Sequence, residues 1–223
     1  FYVNGSEKGN FSASWTATGG SKDTAIGANN HHTSGTTQDN KFDGKIDEVG
    51  IWDEALTAAE ITALYNSGIP MDLATDSGNY ASKDNLVGYW RMEEGSGTTV
   101  ADSSTNSNTA TLTNDASFST DTPFTSRYSI DLDGTNDYVD AASFDPYDEI
   151  GTGDFTVSLW CKPDVVAGMI PFAWLDGSAS DNGQCRLNLL SSNLWRISWK
   201  PNGGTNLNAV STATWSTGNW YNV

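Results

Sequence analysis

The sequence predicts an all-β protein, a two-sheet antiparallel β-sandwich of the jelly-roll kind with one short helix at about residues 57–67. Short apolar stretches recur along the chain, several of them with a two-residue alternation. Glycine, present 22 times, and many Ser, Thr, Asn and Asp residues separate these stretches as turns. The 223 residues are enough to bury a sizeable core.

The strand at residues 46–52 is the element around which the remainder of the chain is organised. Its alternation predicts Asp47, Val49 and Ile51 on one face, with Trp52 on the other. Asp47 would then be partly buried, and a buried carboxylate needs hydrogen-bond donors or a metal ion. We expect hydrogen bonds that tie this strand to a neighbouring strand, rather than metal ligation.

The helix follows directly. Thr57 and Glu60 have the spacing of a capping box, which marks a helix start. Ile61, Leu64 and Tyr65 fall on one helix face, and Gly68 can adopt the left-handed conformation that ends a helix. A short amphipathic helix buries its apolar stripe only against another element. We therefore expect it to lie on a sheet, and a β domain to end near Gly68.

The remaining strands are predicted from apolar runs bounded by turn residues. Residues 155–161 give the clearest pattern, with Phe155, Val157, Leu159 and Cys161 on one face and Trp160 on the other. The other predicted strands cover residues 1–3, 24–27, 86–90, 110–112, 128–132, 137–140, 171–175, 186–189, 194–199 and 220–223.

Charge and composition limit the function. The net charge of −17 disfavours nucleic acid and anionic membrane surfaces. It favours calcium, cationic partners or simple solubility, and no apolar run is long enough to insert into a membrane. Cys161 and Cys185 could form one bridge, but their positions beside Leu159 and Leu187 on predicted strands favour two buried thiols.

Several segments together resemble the laminin-G-like, concanavalin A-like domains, including the pentraxin branch. The closing strand and helix of that family resemble residues 44–68. Its opening landmarks resemble residues 86–104, 128–140 and 154–163. Two consecutive parts of its middle resemble residues 220–223 and 1–5. The resemblance implies a β-sandwich that displays loops.

The order of these segments is unusual, because the closing third of the family pattern precedes the opening two-thirds. We expect residues 1–69 to be the closing part of one sandwich, 70–85 a linker, and 86–223 the opening part of a second, as in a tandem array. The alternative is a circular permutant, in which 1–69 completes the sheets of 86–223. Contacts of Val49 or Ile51 with residues 86–90 would indicate such closure.

The sequence does not predict an enzyme. Laminarinase-type glycoside hydrolases share this architecture and carry a Glu-x-Asp-x-x-Glu pattern, because glycoside hydrolysis needs two suitably placed carboxylates. Around Asp47 both flanking glutamates of that pattern are missing. Glu93 and Glu94 are adjacent, so they point to opposite faces of a strand.

Calcium is the cofactor that the sequence favours, because it accepts carboxylate, amide and carbonyl oxygens from irregular loops. Two loops hold candidate ligands. The resemblance supplies the first, since the pentraxin branch has an Asp-Asn calcium pair in one loop and further acids in another. The candidates are Asp181, Asn182, Asn29 and Asn30 in the first set, and Asp133, Asn136 and Asp137 in the second. Asx turns are the alternative explanation for both.

Trp174, Trp195 and Trp215 could offer flat apolar faces to sugars, with core packing as the alternative. The function that the resemblance implies is a non-catalytic module that binds glycans or surfaces. It would lie among neighbouring repeats of a larger extracellular, cell-surface or phage-virion protein. An accessory domain of a secreted glycoside hydrolase and a structural spacer of an appendage or tail fibre are the alternatives.

Overall fold

The protein is described by a computed structural model that covers residues 1–10, 22–29, 40–151, 153–176, 184–200 and 206–223. The strands are β1 (Tyr2–Val3), β2 (Ser6–Glu7), β3 (Lys22–Ile26), β4 (Asp43–Trp52), β5 (Leu86–Trp90), β6 (Thr99–Val100), β7 (Ala110–Thr113), β8 (Ser117–Ser119), β9 (Ser129–Asp133), β10 (Tyr138–Asp140), β11 (Thr156–Pro163), β12 (Met169–Asp176), β13 (Gln184–Leu189), β14 (Leu194–Lys200), β15 (Leu207–Thr214) and β16 (Tyr221–Asn222). The helices are α1 (Ala58–Tyr65) and α2 (Pro146–Glu149), with 3₁₀ turns at Asn66–Gly68 and Lys83–Asn85.

Two antiparallel sheets form the body of the protein. The large sheet has the order β15-β14-β13-β12-β3-β10-β7-β6. The small sheet has the order β16-β11-β4-β9-β8, with β5 also paired to β4. Strands β1 and β2 form a separate two-stranded ribbon. The main core packs side chains from both sheets, such as Ile26 and Phe172 against Ile46 and Leu159. This confirms the predicted two-sheet β-sandwich.

Both segments on either side of residues 70–85 contribute strands to the same sheets. In the small sheet β4 pairs with β5, β9 and β11, and Val49 pairs with Trp90 and Ile51 with Gly88. In the large sheet β3 lies between β10 and β12. These are the pairings that closure of a single sandwich by residues 1–69 requires.

A β-bulge in β4 changes the predicted face assignment. Ser158 pairs with Gly50 and Trp160 with Asp47, so two residues of β4 oppose one residue of β11. Glu48 is one of these two residues, and it has a φ of 49°. Because of the extra residue, Ile46 joins Val49 and Ile51 in the main core. Asp47 therefore points to the opposite side from Val49, and the predicted shared face is wrong.

Helix α1 begins as predicted. Thr57 Oγ1 accepts a hydrogen bond from the Glu60 N–H, and the Glu60 carboxylate accepts one from the Thr57 N–H, which completes the capping box. The α-helix ends earlier than predicted, because Asn66 rather than Gly68 takes the left-handed cap with a φ of 44°. Leu64 is buried beneath the helix, and the Tyr65 ring stacks on Trp160 at 6.0 Å between centroids.

A second, smaller core lies between α1 and the small sheet, where Trp52, Leu64, Leu86 and Tyr89 pack together. Residues 70–85, expected to be a linker, contribute to this core through Leu73 and Tyr80. The Trp52 indole N–H donates a hydrogen bond to the Tyr80 hydroxyl at 3.0 Å. That hydroxyl donates in turn to the Leu73 carbonyl at 2.7 Å. Two isolated apolar residues produce no periodic pattern, so this packing could not be predicted from the sequence.

Cys161 and Cys185 are free, buried thiols in the main core. Among the helices that the structure describes, none has the length and apolar character needed to span a membrane.

Candidate functional site

The three tryptophans predicted to contact sugars are core residues. Trp174, Trp195 and Trp215 expose 1%, 0% and 2% of their surface. Trp174 packs against Phe155, Phe172 and Trp199, which fixes its ring between the two sheets. None of the three rings presents a face to solvent. The prediction that these rings stack on a sugar is therefore wrong, and the structure shows the alternative, core packing.

The loop with Asp133, Asn136 and Asp137 connects β9 to β10, and its acidic side chains bond to backbone groups. Asp133 accepts a hydrogen bond from the Thr135 N–H at 2.7 Å, and Asp137 accepts one from the Asp115 N–H at 2.9 Å. The Asn136 carbonyl accepts one from the Asn114 side chain at 2.6 Å. Within the described residues, no three His, Cys, Asp or Glu side chains form a group that could hold a metal ion. Calcium binding in this loop stays a prediction.

The other calcium candidates are only partly described. Asn30, Asp181 and Asn182 lie outside the described residues. Asn29, three residues after the end of β3, is 7% exposed, and its side-chain oxygen has no hydrogen-bond partner among the described residues. Calcium binding by these four residues stays a prediction.

Asp47 is the most deeply buried acid of the small sheet, with no exposed surface. One carboxylate oxygen accepts a hydrogen bond from the Glu48 N–H at 3.0 Å, and the other lacks a partner among the described residues. Burial first, and then the neighbouring Glu48 charge, hold the pKa of Asp47 well above its usual value, although the Ser126 hydroxyl opposes this shift. Ser126 belongs to the loop between β8 and β9, so this loop covers Asp47.

Glu48 provides the tie between strands that was expected from Asp47. The bulge directs its side chain towards β5, where the Tyr89 hydroxyl donates a hydrogen bond to Glu48 Oε2. Arg91 Nε lies 3.9 Å from Glu48 Oε1, and Arg91 also faces Asp72 at 3.5 Å. Burial raises the pKa of Glu48 to about 7, although Tyr89 and Arg91 both act to lower it. Burial and the Glu48 charge raise the pKa of Tyr89 as well.

These two acids are adjacent in sequence but poorly placed to contact a substrate. A glycosidase acid and its partner carboxylate must both reach the sugar that they act on. Asp47 exposes 0% and Glu48 5% of its surface. The contacts of Glu48 with Tyr89 and Arg91 hold β4 against β5.

An exposed aromatic residue, Phe124, lies on the loop between β8 and β9 (residues 120–128). Its side chain is 78% exposed, and its φ of 46° is rare for a bulky residue. The ring lies against Gly68, the last residue of the 3₁₀ turn that follows α1, and a Cβ atom built on Gly68 would lie 3.4 Å from the ring. Asn66 and Ser67, which precede Gly68, are exposed. We call Phe124, Thr125, Asn66, Ser67 and Gly68 the Phe124 surface.

The loop that carries Phe124 is held at both ends. The Ser129 hydroxyl donates to the Asp121 carbonyl at 2.7 Å, and Lys162 pairs with the Asp121 carboxylate. At the other end the Arg127 N–H donates to Glu93 at 2.8 Å. The ring is therefore displayed from a braced loop. Sequence reasoning missed it because Phe124 sits in a polar, turn-rich stretch, although an isolated aromatic residue after a proline was a usable signal.

A cavity of about 500 Å³ lies at the edge of β11, next to β16. Its walls are mainly apolar and come from the large sheet, from β11 and from the segment that includes α1. Phe172, Leu187 and Ile197 line one side, and Leu56 and Ile61 line the other.

The fold is a β-sandwich of the jelly-roll class. It has two facing antiparallel sheets, a capped helix on the outer side and loops braced at a sheet edge. The chain belongs to the laminin G-like family described as the concanavalin A-like lectin/glucanases superfamily, whose model matches residues 1–62 and 133–223. Glu48 lies within a matched segment, whereas Tyr89 and Phe124 lie between the two. No curated protein and no solved structure matches the chain significantly.

Proposed function

We propose that the protein is a non-catalytic glycan-binding module and that the Phe124 surface contacts the sugar. The observation that supports this best is the 78% exposure of the Phe124 ring on a braced loop. An exposed ring costs free energy in water, because its apolar surface is left unburied. Stacking against the C–H face of a sugar ring would bury that surface.

The groups around Phe124 suit a sugar better than a purely apolar partner. Asn66, Ser67 and Thr125 offer an amide and two hydroxyls, which can both donate and accept hydrogen bonds. A small number of polar groups that converge around an apolar face is typical of small-molecule sites. The net charge of −17 disfavours sialylated or sulfated glycans, so the proposed ligand is a neutral glycan.

In this proposal the module serves adhesion within a larger extracellular, cell-surface or virion protein with neighbouring repeats. Membership of a superfamily that includes lectins supports the binding role. The burial of Asp47 and Glu48 supports the non-catalytic part of the proposal. Calcium, if bound, would shape the loops.

A glycan array tests the proposal. The wild-type protein should bind neutral glycans with and without a chelator, and Phe124→Ala and Phe124→Leu should each weaken binding at least tenfold. Phe124→Trp, which keeps an aromatic ring, should retain it. Val210→Ala is the matched control, because Val210 is 45% exposed but lies on β15 of the large sheet. Absence of glycan binding, or equal binding by Phe124→Ala, would refute the assignment.

A further inference from the structure

Asp47 and Glu48 lie at the point where β4 changes its neighbour in the small sheet. On one side of β4, β9 pairs with the part before Asp47 and β5 pairs with the part after Glu48. In the described part of the chain, neither strand has a register partner for these two acids on that side. The loop of residues 120–128, which carries Phe124, reaches this position through Ser126.

The carboxyl group of Asp47 is buried without a counter-charge. It exposes no surface and accepts one hydrogen bond, from the Glu48 N–H at 3.0 Å. Ser126 Oγ lies beside it, yet neither this hydroxyl nor Asp47 Oδ2 has a partner of normal hydrogen-bond geometry among the described residues. The charged groups that act most strongly on Asp47 are both acids, Glu48 on β4 and Glu93 after β5, and β11 places the apolar Trp160 in register with it. A carboxyl group in such surroundings is stable only when it is protonated.

The loop of residues 120–128 is fastened differently at its two ends. Asp121 holds the first end to β9 and β11. At the second end the Arg127 N–H donates a hydrogen bond to the Glu93 carboxylate at 2.8 Å. Glu93 is one of the two acids that act on Asp47. An ionised Asp47 therefore repels the group that fastens the second end, and its own charge is solvated only if water enters beneath Ser126.

We propose that ionisation of Asp47 opens the loop of residues 120–128 at its Arg127 end and removes Phe124 from its glycan-binding position. This inference rests on the proposed function of the Phe124 surface. Burial first, and then the Glu48 charge, raise the pKa of Asp47 while the loop is closed. The closed loop therefore retains a proton that the open loop releases, so the closed state is favoured at acidic pH and is lost as the pH rises.

Amide hydrogen exchange at Arg127 tests this switch in the wild-type protein without any glycan. The Arg127 N–H is bonded to Glu93 while the loop is closed, so its protection factor reports loop opening. Because opening releases one proton, this factor should fall about tenfold for each pH unit between pH 5 and the pKa of the closed state. Amides in the middle of β4 report global unfolding and should stay more protected. An Arg127 profile that is flat, or that coincides with theirs, overturns the proposal.

Asp47→Asn removes the titrating group and keeps its shape. The Arg127 protection factor of this variant should no longer fall with pH, and Asp47→Ala takes its place if Asp47→Asn does not fold. The matched control is Asp131→Asn, which removes one carboxylate from β9 of the same sheet, where it pairs with Lys45. The control should keep the wild-type slope. A wild-type slope in the Asp47 variants overturns the proposal.

Glycan binding at pH 5.5 and pH 8.5 connects the loop to the Phe124 surface. The wild-type protein should bind the printed neutral oligosaccharides of a glycan array at least tenfold more weakly at pH 8.5, whereas Asp47→Asn should bind them equally at both pH values. Wild-type binding that does not change with pH overturns the proposal. If no glycan binds at either pH, the proposed function is refuted, and the Arg127 exchange profiles still decide whether Asp47 controls the loop.

Discussion

The hydroxyl of Tyr89 donates a hydrogen bond to the carboxylate of Glu48, and this contact joins β5 to β4 beneath the second core. The two residues are 41 positions apart in the chain. The contact lies next to the backbone pair Val49–Trp90, so it reinforces the pairing between the segment before residue 70 and the segment after residue 85.

Glu48→Gln should remove a pH dependence of stability. The pKa of Glu48 is raised from 4.5 to about 7 in the folded protein. The folded state therefore holds a proton that the unfolded state releases, and the free energy of unfolding falls as the pH rises from about 4.5 to 7. The loss is roughly 3 kcal/mol for a shift of this size. Thermal unfolding between pH 4.5 and 8 measures it.

The raised pKa of Asp47 acts in the same direction, so Asp47→Asn is the companion variant. Glu48→Gln should be more stable than the wild-type protein at pH 8 and should show a flatter pH profile. A wild-type profile that rises from pH 5 to 8 in step with Glu48 would contradict the buried position of this carboxylate.

Tyr89→Phe should destabilise the protein more at pH 8 than at pH 5. At pH 8 Glu48 is ionised, and its buried charge would lose the hydroxyl donor, which costs about 1–3 kcal/mol. At pH 5 Glu48 is largely protonated, and the loss is that of a neutral hydrogen bond, about 1 kcal/mol. Urea unfolding at both pH values measures the difference. In a Glu48→Gln background the effect of Tyr89→Phe should no longer depend on pH in this way, and an unchanged dependence would assign it to another group.

The apolar runs and the two-residue alternation predicted most of the strands, but not β2, β6, β8 or β15, and the capping box predicted the start of α1, because these signals depend on local chemistry. Strand β11 and the Thr57 cap were found in this way. The bulge at Glu48 was not, since a positive φ at a glutamate is imposed by pairing with β11 and leaves no mark in the pattern. That single extra residue reversed the face of Asp47 and gave its expected role to Glu48.

The candidate site was harder to predict because aromatic residues serve cores and surfaces alike. Trp174 lies within β12 and Phe124 in a loop, but only the packing of both sheets shows that Trp174 is buried and Phe124 exposed. The burial of Leu73 and Tyr80 was hard to predict for the same reason. A polar segment with two apolar residues resembles a linker, and only the position of α1 above it shows that these residues are in a core.

Leu73→Ala tests whether residues 70–85 are part of the folded core. Leu73 is 5% exposed and packs in the second core, so its truncation should lower the free energy of unfolding by about 2–4 kcal/mol. Thr75→Ala, at an exposed position of the same segment, should change it by less than about 0.5 kcal/mol. Equal small effects of both variants in urea unfolding would indicate that this segment does behave as a linker.

The two thiols should both react slowly in the folded protein, and Cys185 should react before Cys161. Burial raises the pKa of Cys185 to about 12 and that of Cys161 further, so the reactive thiolate is rare in both at pH 8. Cys185 lines the cavity beside β11 and is 7% exposed, whereas Cys161 is fully buried.

Labelling with N-ethylmaleimide, followed by peptide mass spectrometry, distinguishes the two sites, and denatured protein provides the fully reactive control. Ile197→Trp, which narrows the cavity, should slow the labelling of Cys185 and leave that of Cys161 unchanged. Equal rates at the two thiols would mean that reagent reaches them only through global unfolding and that the cavity is closed to small molecules.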